Sequence, residues 1–194
     1  MSDSTLLARE VVDALVASGV REAVLAPGSR NAPLSFALLA AEEAGVLRLH
    51  VRVDERSAGF LALGLGRASG RPVAVACTSG TAVANLAPAV LEAHHVGAQL
   101  LVLAADRPAS LRGTSASQTT VQPGLLRAPV LDLDDASQVR GRLAAALADG
   151  GPVHLNLQFT EPLTPAERQV HLLAAPSPKK KPLRARCFLS PSLT

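Results

Sequence analysis

The sequence predicts an α/β domain: a doubly wound, mostly parallel sheet of about six strands, with helices on both faces. Short apolar runs alternate with helical patterns along the chain, and most of the runs are apolar at successive positions, which indicates strands buried on both faces. The 194 residues, of which 48% are hydrophobic, are enough for one well-cored domain. We predict this domain at residues 1–165, followed by a proline-rich basic tail at 166–194 that we expect to be disordered.

The first 51 residues predict helix, strand, helix and strand. Apolar residues at helical spacing begin at Leu7, and Gly19 ends that helix. The apolar run 23–26 stops at "PGSRNAP" and predicts the first strand. Residues 34–45 then predict a helix ending at a glycine, and 47–51 predict the second strand.

Residues 53–97 repeat this alternation. The stretch "VDERSAGFLALGLGRASG" predicts a helix that ends at Gly70. The β-branched run 72–77, "PVAVAC", predicts the third strand and stops at the turn "TSGT". Residues 82–97 predict one helix, which Pro88 should bend.

The last third predicts three more strands. The run 99–106, "QLLVLAAD", is apolar from 100 to 105 and precedes a long polar loop at 107–122. Residues 129–134 and 152–159 predict the last two strands, with a helix at 137–148 between them. The alternation ends near residue 161.

Composition excludes several classes of function. Residues 171–194 hold five basic residues and no acidic one, which leaves 14 of the 19 basic residues against all 16 acidic ones in the rest of the chain. With no Trp, no Tyr and four Phe, the chain has few rings on which bases could stack. We therefore expect no nucleic-acid partner.

The sequence also predicts no membrane-spanning segment, no signal peptide and no site built on paired cysteines. Charged residues interrupt every apolar stretch before roughly 18 positions, and the start "MSDSTLLARE" lacks the pattern of a signal peptide. Cys77 and Cys187 form no C-x-x-C pair, so neither zinc nor disulfides are indicated. We expect a cytoplasmic protein with no membrane partner and no metal ligands among the candidate site residues.

The candidate chemistry lies in the loops that follow the strands, because ligands of parallel sheets gather at the carboxyl ends of the strands. Four such loops stand out: "PGSRN", "VDERS", "TSGT" and "ADRPASLRGTSASQT". Together they hold the seven candidate residues Ser29, Arg30, Glu55, Thr78, Thr81, Arg107 and Gln118.

Simpler interpretations compete with these. Asp54 is best explained as a helix cap, and Glu55 alone could merely suit the positive end of a helix. Arg30 and Arg107 fit surface ion pairs and carboxylate binding equally well. The stretch "GLGRASG" ends a helix rather than opening one, so it is not a dinucleotide fingerprint. A small-residue stripe at Ala58, Ala62 and Gly66 predicts close helix contact, within the core or across a subunit boundary.

Three stretches together resemble a known family. They are "LAPGSRNAPLSFAL", "HVRVDERSAGFLALGLGRASGRPVAVACTSGTAVANLAPAVLEAHH" and "LLVLAADRP" followed by "SASQT". They resemble the amino-terminal pyrimidine-binding domain of thiamine-diphosphate enzymes. Within these, they are most similar to the 2-succinyl-5-enolpyruvyl-6-hydroxy-3-cyclohexene-1-carboxylate synthases of the menaquinone pathway. The similarity covers about residues 5–162, and it makes 1–165 a pyrimidine-binding domain.

This resemblance implies roles for the candidate residues. Glu55 matches the glutamate that accepts a hydrogen bond from the aminopyrimidine and favours its imino form, which generates the reactive ylide. Thr78, Gly80 and Thr81 would border the pyrimidine. Residues Ser29, Arg30, Arg107 and Gln118 match substrate-binding positions. The implied reaction decarboxylates 2-oxoglutarate and adds the resulting carbanion to isochorismate, with thiamine diphosphate and Mg²⁺ as cofactors, in a homodimer or homotetramer.

The resemblance also leaves alternatives, because the G-D-G segment that holds magnesium and diphosphate in such enzymes has no counterpart in this sequence. We expect a truncated synthase that is inactive alone and tends to self-associate. A subunit of a split thiamine-diphosphate decarboxylase and a non-catalytic α/β binding module are the other hypotheses.

Overall fold

A six-stranded, wholly parallel sheet with helices on both faces forms the core of the computed structural model, which describes residues 2–166. The predicted fold class is therefore confirmed. The tail predicted for 166–194 lies outside the described residues, except for residue 166, and so does Cys187.

The elements alternate as the sequence patterns predicted. The helices are α1 (Asp3–Ala17), α2 (Ala32–Glu43), α3 (Glu55–Ser69), α4 (Thr81–Asn85), α5 (Ala87–His95) and α6 (Val139–Ala148). The strands are β1 (Glu22–Leu25), β2 (Arg48–Val51), β3 (Val73–Cys77), β4 (Leu100–Asp106), β5 (Val130–Leu133) and β6 (Val153–Gln158). Short 3₁₀ turns at Ala109–Leu111 and Ala136–Gln138 complete the set.

The strand order is β2-β1-β3-β4-β6-β5, so the chain first moves to one side of β1 and then to the other. Helices α1, α2 and α6 cover one face of the sheet, and α3, α4 and α5 cover the other. Every residue of β3 and β4 is buried, which explains why these central strands are apolar at successive positions.

The predicted single helix at 82–97 is wrong, because the structure contains two helices there. Helix α4 ends at Asn85 and α5 begins at Ala87, with Pro88 in its first turn. Proline has no N–H to donate to the carbonyl of Ala84, and its ring would clash with that carbonyl. The first turn of a helix tolerates proline, since its N–H groups have no partner there. Pro88 therefore starts a helix rather than bending one.

Helix α3 begins and ends as its sequence predicts. The Asp54 carboxylate caps it by accepting a hydrogen bond from the Ser57 N–H at 2.7 Å, and Gly70 closes it with φ of 67°. Ala58 and Ala62 are fully buried. A Cβ atom on Gly59 would lie 2.9 Å from the Cβ of Ala89 in α5. Gly59 thus allows α3 to pack closely on α5, while Ala58 and Ala62 of the predicted stripe lie inside the core. A Cβ atom on Gly66, the third member of the stripe, would lie 3.5 Å from the carbonyl oxygen of Arg71 instead.

The adjacent strands β1 and β3 leave the sheet toward helices on opposite faces, which opens a crevice where their carboxyl ends meet. The loop after β1 and the loop after β3 approach closely there. A Cβ atom on Gly28 would lie 2.7 Å from the Cβ of Thr78, so only glycine fits at position 28.

A long connection runs from β4 to β5, from Arg107 to Pro129, and exceeds the polar loop predicted at 107–122. It lies over the carboxyl ends of β3, β4 and β6. Within residues 2–166, no helix combines the length and apolar character needed to cross a bilayer.

Candidate functional site

Glu55 is a half-buried carboxylate at the start of α3, beside the crevice between β1 and β3. Burial raises the pKa of the Cys77 thiol at the end of β3, and the negative charge of Glu55 raises it further. The carboxylate therefore lies within electrostatic reach of the strand end. It forms no hydrogen bond or ion pair with any residue in the part of the chain that the structure describes. Its acceptor capacity is free.

The turn after β3 faces this crevice. Thr78 is half-buried and contacts the loop that carries Gly28. Gly80 has φ of 76° and ψ of −131°, a conformation that strains any other residue. A Cβ atom there would also lie 3.0 Å from both Cγ and the carbonyl oxygen of Gln118. A side chain at position 80 would therefore collide with the β4–β5 connection, against which this turn is tightly packed.

The structure brings Arg107 and Gln118 together on this turn. An Arg107 amino group donates to Ser79 Oγ at 2.9 Å and to the Gln118 carbonyl at 3.1 Å. The Gln118 side-chain amide donates to the Ser79 carbonyl at 3.0 Å. Gln118 has φ of 55°, an uncommon conformation for a residue other than glycine.

Arg30 lies in the loop after β1 and contacts the segment that follows β6. Its guanidinium donates to the Phe159 carbonyl at 3.1 Å and pairs with Glu161 at 3.5 Å. Its Nε is buried, and no residue in the described part of the chain pairs with it. Burial and the nearby charge of Arg107 lower the pKa of Arg30, while Glu161 and Asp106 act in the opposite direction. The two guanidinium groups therefore lie within electrostatic range of each other.

The other candidates are more accessible. Ser29 and Thr81 are exposed, at the start of α2 and of α4. No hydrogen bond joins Glu55 to the other candidates within residues 2–166. The eight candidate residues, with Gly80 included, thus line one edge of the sheet in three groups: Glu55; Thr78, Gly80 and Thr81 with Arg107 and Gln118; and Ser29 with Arg30.

A closed polar network lies next to these groups, at the carboxyl ends of β4, β6 and β5. Arg112 pairs with Asp132 at 2.8 Å and with the fully buried Asp106 at 3.2 Å. The Asn156 amide donates to the same two carboxylates, at 2.8 and 3.0 Å. Burial alone would raise the pKa of Asp132, but hydrogen bonds from Arg112, Asn156 and Gln158 keep it below its ordinary value.

Gln122 connects this network to the turn after β3. Its side-chain amide donates to Asn156 Oδ1 at 2.8 Å and to the Ala105 carbonyl at 3.2 Å. Its Oε1 accepts from the Gly80 N–H at 2.8 Å.

Comparison with known proteins identifies the domain. Residues 6–125 match the family described as thiamine pyrophosphate enzyme, N-terminal TPP binding domain. This chain belongs to that family. The resemblance drawn from its motifs is therefore confirmed, and the N-terminal TPP-binding domain is the part of such enzymes that the chain represents.

Curated relatives of this N-terminal domain are 2-succinyl-5-enolpyruvyl-6-hydroxy-3-cyclohexene-1-carboxylate synthases. The one from a Nocardioides species is 59% identical over 165 residues, which cover 85% of this chain and 29% of the relative. The one from Saccharopolyspora erythraea is 53% identical, over 86% of this chain and 33% of the relative. The one from Kineococcus radiotolerans is 52% identical, over 92% of this chain and 37% of the relative.

These alignments set the extent of the similarity. The chain spans about a third of the length of the curated relatives it matches. The Kineococcus match covers 92% of this chain, a longer stretch than residues 1–165. It therefore includes part of the tail predicted at 166–194.

Several site residues of this N-terminal domain were missed from the sequence, among them Ser79, Gln122 and the whole polar network. One signal was present in "HLNLQ", where His154, Asn156 and Gln158 alternate with leucines in a strand that is otherwise apolar. Such alternation places the polar side chains on one face of the sheet. The sequence of β6 could thus have indicated a polar network above it.

Metal-binding residues are not grouped in the described part of this domain. Among residues 2–166, no three His, Cys, Asp or Glu side chains lie close enough to hold a metal ion. The acidic residues of the polar network are held by Arg112 and Asn156 instead.

Proposed function

We propose that this chain forms the pyrimidine-binding side of the thiamine diphosphate site in a transferase of the menaquinone pathway. The reaction would decarboxylate 2-oxoglutarate and join the remaining succinyl unit to isochorismate. Family membership and the synthase names of the relatives support this assignment. The observation that carries it is the free, half-buried Glu55 carboxylate beside the crevice.

The crevice fits the aminopyrimidine half of this cofactor. Gly28 and Gly80 let the neighbouring loops pack closely around the turn after β3, and Thr78 and Thr81 flank the Ser79–Gly80 peptide in that turn. A flat heterocycle there would have a carboxylate acceptor at one edge. We assign Glu55, Thr78, Gly80 and Thr81 to its binding.

Thiamine diphosphate, when bound, supplies a carbon nucleophile that can attack a 2-oxo acid. The role of Glu55 is to accept a hydrogen bond at the pyrimidine ring, which makes it the catalytic residue of this chain. Its partial burial favours that role, because water competes less for a carboxylate that is withdrawn from bulk solvent.

We assign Ser29, Arg30, Arg107 and Gln118 to the substrates, both of which carry two carboxylates. A guanidinium can donate two parallel hydrogen bonds to one carboxylate, which suits planar anions. The buried, unpartnered Nε of Arg30 supplies a donor that no described residue uses. The hydroxyl of Ser29 is exposed nearby for a second contact.

The proposal extends to the assembly. We expect a cytoplasmic homodimer or homotetramer that uses Mg²⁺, with the metal and diphosphate contacts supplied from outside residues 2–166. The absence of a metal-binding group within those residues and the greater length of the relatives support this division. We therefore expect the 194-residue chain alone to show no decarboxylation of 2-oxoglutarate and little affinity for thiamine diphosphate.

A chimera tests the proposal. Residues 1–166 replace the aligned segment of the Nocardioides relative, and 2-oxoglutarate consumption is followed with isochorismate present. We expect the chimera to be active and Glu55→Gln to lower kcat by at least about 100-fold, in the range of a general acid–base contribution. Glu92→Gln, an exposed glutamate on α5, is the matched control and should retain activity.

Two results would contradict the proposal. Equal activity of the Glu55→Gln and Glu92→Gln chimeras would show that Glu55 has no role in the reaction. Turnover by the 194-residue chain alone would contradict the expected division of the cofactor site. Activity restored only by a separately encoded partner chain would instead favour a split decarboxylase.

A further inference from the structure

The Ser79–Gly80 peptide group is held at both of its polar atoms by side chains of the β4–β5 connection. Its carbonyl accepts from the Gln118 side-chain amide at 3.0 Å. Its N–H donates to Gln122 Oε1 at 2.8 Å. We call these two residues, four apart in the chain, the amide clamp.

We infer that Gln122 is a positioning residue that fixes the orientation of the Ser79–Gly80 peptide. It thereby aligns the turn after β3 with the β4–β5 connection that carries Arg107 and Gln118. This inference rests on the proposed function for the ligands it names. It assigns Gln122 no contact with substrate or cofactor.

The burial and bonding of Gln122 distinguish it from a glutamine that merely fills space. It is fully buried, and both polar atoms of its amide are used. Its Nε2 is anchored to Ala105 and Asn156, which belong to the central strands β4 and β6. Because the anchor is rigid sheet, the amide oxygen has a fixed position to offer to Gly80.

Gly80 needs such a fixed partner. Its φ of 76° and ψ of −131° lie outside the conformations of the helix that follows, so no helical hydrogen bond sets the orientation of its N–H. Helix α4 is only five residues long and has no side-chain cap. Leaving the buried Gly80 N–H without an acceptor would be costly, so Gln122 selects this peptide orientation over others.

The clamp also explains how two loops far apart in sequence act as one site. Gln118 contacts the turn through the carbonyl of Ser79, and Arg107 contacts it through Ser79 Oγ. If the peptide turned over, the carbonyl that binds Gln118 would point away. Gln122 therefore controls both the backbone at Gly80 and the side chain of Gln118.

The test measures amide hydrogen exchange in the full 194-residue chain. Gln122→Met keeps the length of the side chain and removes its hydrogen bonds, and Gln122→Glu keeps an oxygen for Gly80. Facing the carbonyl oxygens of Ala105 and Asn156, a buried Glu at 122 is favoured in its protonated form, whose O–H can donate. Gln99→Met is the matched control, because Gln99 is half-buried and donates to the Leu147 carbonyl at the opposite edge.

We expect Gln122→Met to speed exchange at Gly80 at least tenfold relative to Val75, a buried amide of β3 that reports overall opening. Gln122→Glu should stay within threefold of the parent chain, and Gln99→Met should leave the ratio unchanged. Equal acceleration at Gly80 and Val75 would overturn the inference, since Gln122 would then only stabilise the fold. If Gln122→Glu speeds exchange at Gly80 relative to Val75 as much as Gln122→Met does, the inference is also overturned.

Two provisions keep the test decisive. If Gln122→Met does not fold, Gln122→Asn withdraws the acceptor by one methylene and carries the same expectation and the same refutation. The exchange ratio needs no cofactor, so its result is separate from the chimera assay. An inactive chimera that carries the unmodified residues 1–166 would refute the proposed function but not the role of Gln122. An unchanged ratio of the exchange rates at Gly80 and Val75 in Gln122→Met would refute the role of Gln122 but not the proposed function.

Discussion

The two halves of the carboxyl edge of the sheet contrast in how their polar groups are satisfied. At the ends of β1, β2 and β3, Glu55 has no partner within residues 2–166, and Nε of Arg30 is buried without one. At the ends of β4, β5 and β6, the carboxylates of Asp106 and Asp132 each accept several hydrogen bonds. Among the described residues there, Nε of Arg112 is buried without a partner.

This difference separates ligand-binding groups from scaffold. Buried polar groups in folded proteins are almost always paired, so unpaired ones need an explanation. In the half at the ends of β1, β2 and β3, which we call the open half, a ligand would supply the missing hydrogen-bond partners. In the half at the ends of β4, β5 and β6, which we call the closed half, the two carboxylates are paired with side chains of the chain itself and hold the β4–β5 connection against the sheet. The predictions below test this division.

The largest effect is expected from removing a carboxylate of the closed half. Asp106→Ala leaves Arg112 and Asn156 without one partner each and opens a buried site, so the free energy of unfolding should fall by about 3–5 kcal/mol. Glu55→Gln, its counterpart in the open half, should change it by less than about 1 kcal/mol. Urea unfolding of the two variants measures both values, and similar losses would break the comparison.

The next effect concerns His154, a buried histidine of β6 on the Asn156 face, whose ring nitrogens have no hydrogen-bond partner among residues 2–166. Burial lowers its pKa from the ordinary 6.5 to about 4. Between about pH 4 and pH 6.5, His154 therefore binds a proton in the unfolded chain but not in the folded chain. The free energy of unfolding should fall by about 3 kcal/mol as the pH falls from about 6.5 to about 4.

His154→Leu isolates this contribution, because the remaining acidic and histidine residues titrate equally in both proteins. Urea unfolding across this pH range should show the parent losing stability more steeply than the variant. Parallel pH profiles would mean that His154 is not held neutral by its surroundings.

A smaller effect is expected at the crevice itself. Gly28→Ala places a Cβ atom 2.7 Å from the Cβ of Thr78, so the two loops must separate and the free energy of unfolding should fall by about 1–3 kcal/mol. Gly64→Ala, in the exposed face of α3 with open space around it, should instead stabilise by about 0.5–1 kcal/mol. Thermal unfolding compares them, and equal shifts would show that the crevice is looser than the contact indicates.

The fold was predictable because it depends on local patterns. Strands buried on both faces leave continuous apolar runs such as that of β4, and the caps of α3 follow from Asp54 and Gly70. The loops that follow the predicted strands then placed the candidate residues at strand ends, and the motifs "DERSAGF", "PGSR" and "ADRP" indicated the family. The break at Pro88 was missed because a proline near a helix start and one in a helix interior look alike without the flanking structure.

The contacts among site residues could not be predicted in the same way. Whether Glu55 is free and Asp106 paired depends on how the β4–β5 connection folds. That path includes positive φ at Ser115 and Gln118, which no glycine in the sequence marks. Gln122 appears in the sequence as one polar residue of a polar loop, and its role depends on Gly80, 42 residues away.

The most direct measurement is a crystal structure of the active chimera with thiamine diphosphate bound. The account predicts the pyrimidine ring in the crevice between the Gly28 loop and the Thr78–Gly80 turn, with the Glu55 carboxylate within hydrogen-bond distance of the ring and the Arg112 network unchanged. A pyrimidine ring bound elsewhere, with Glu55 facing solvent, would contradict it.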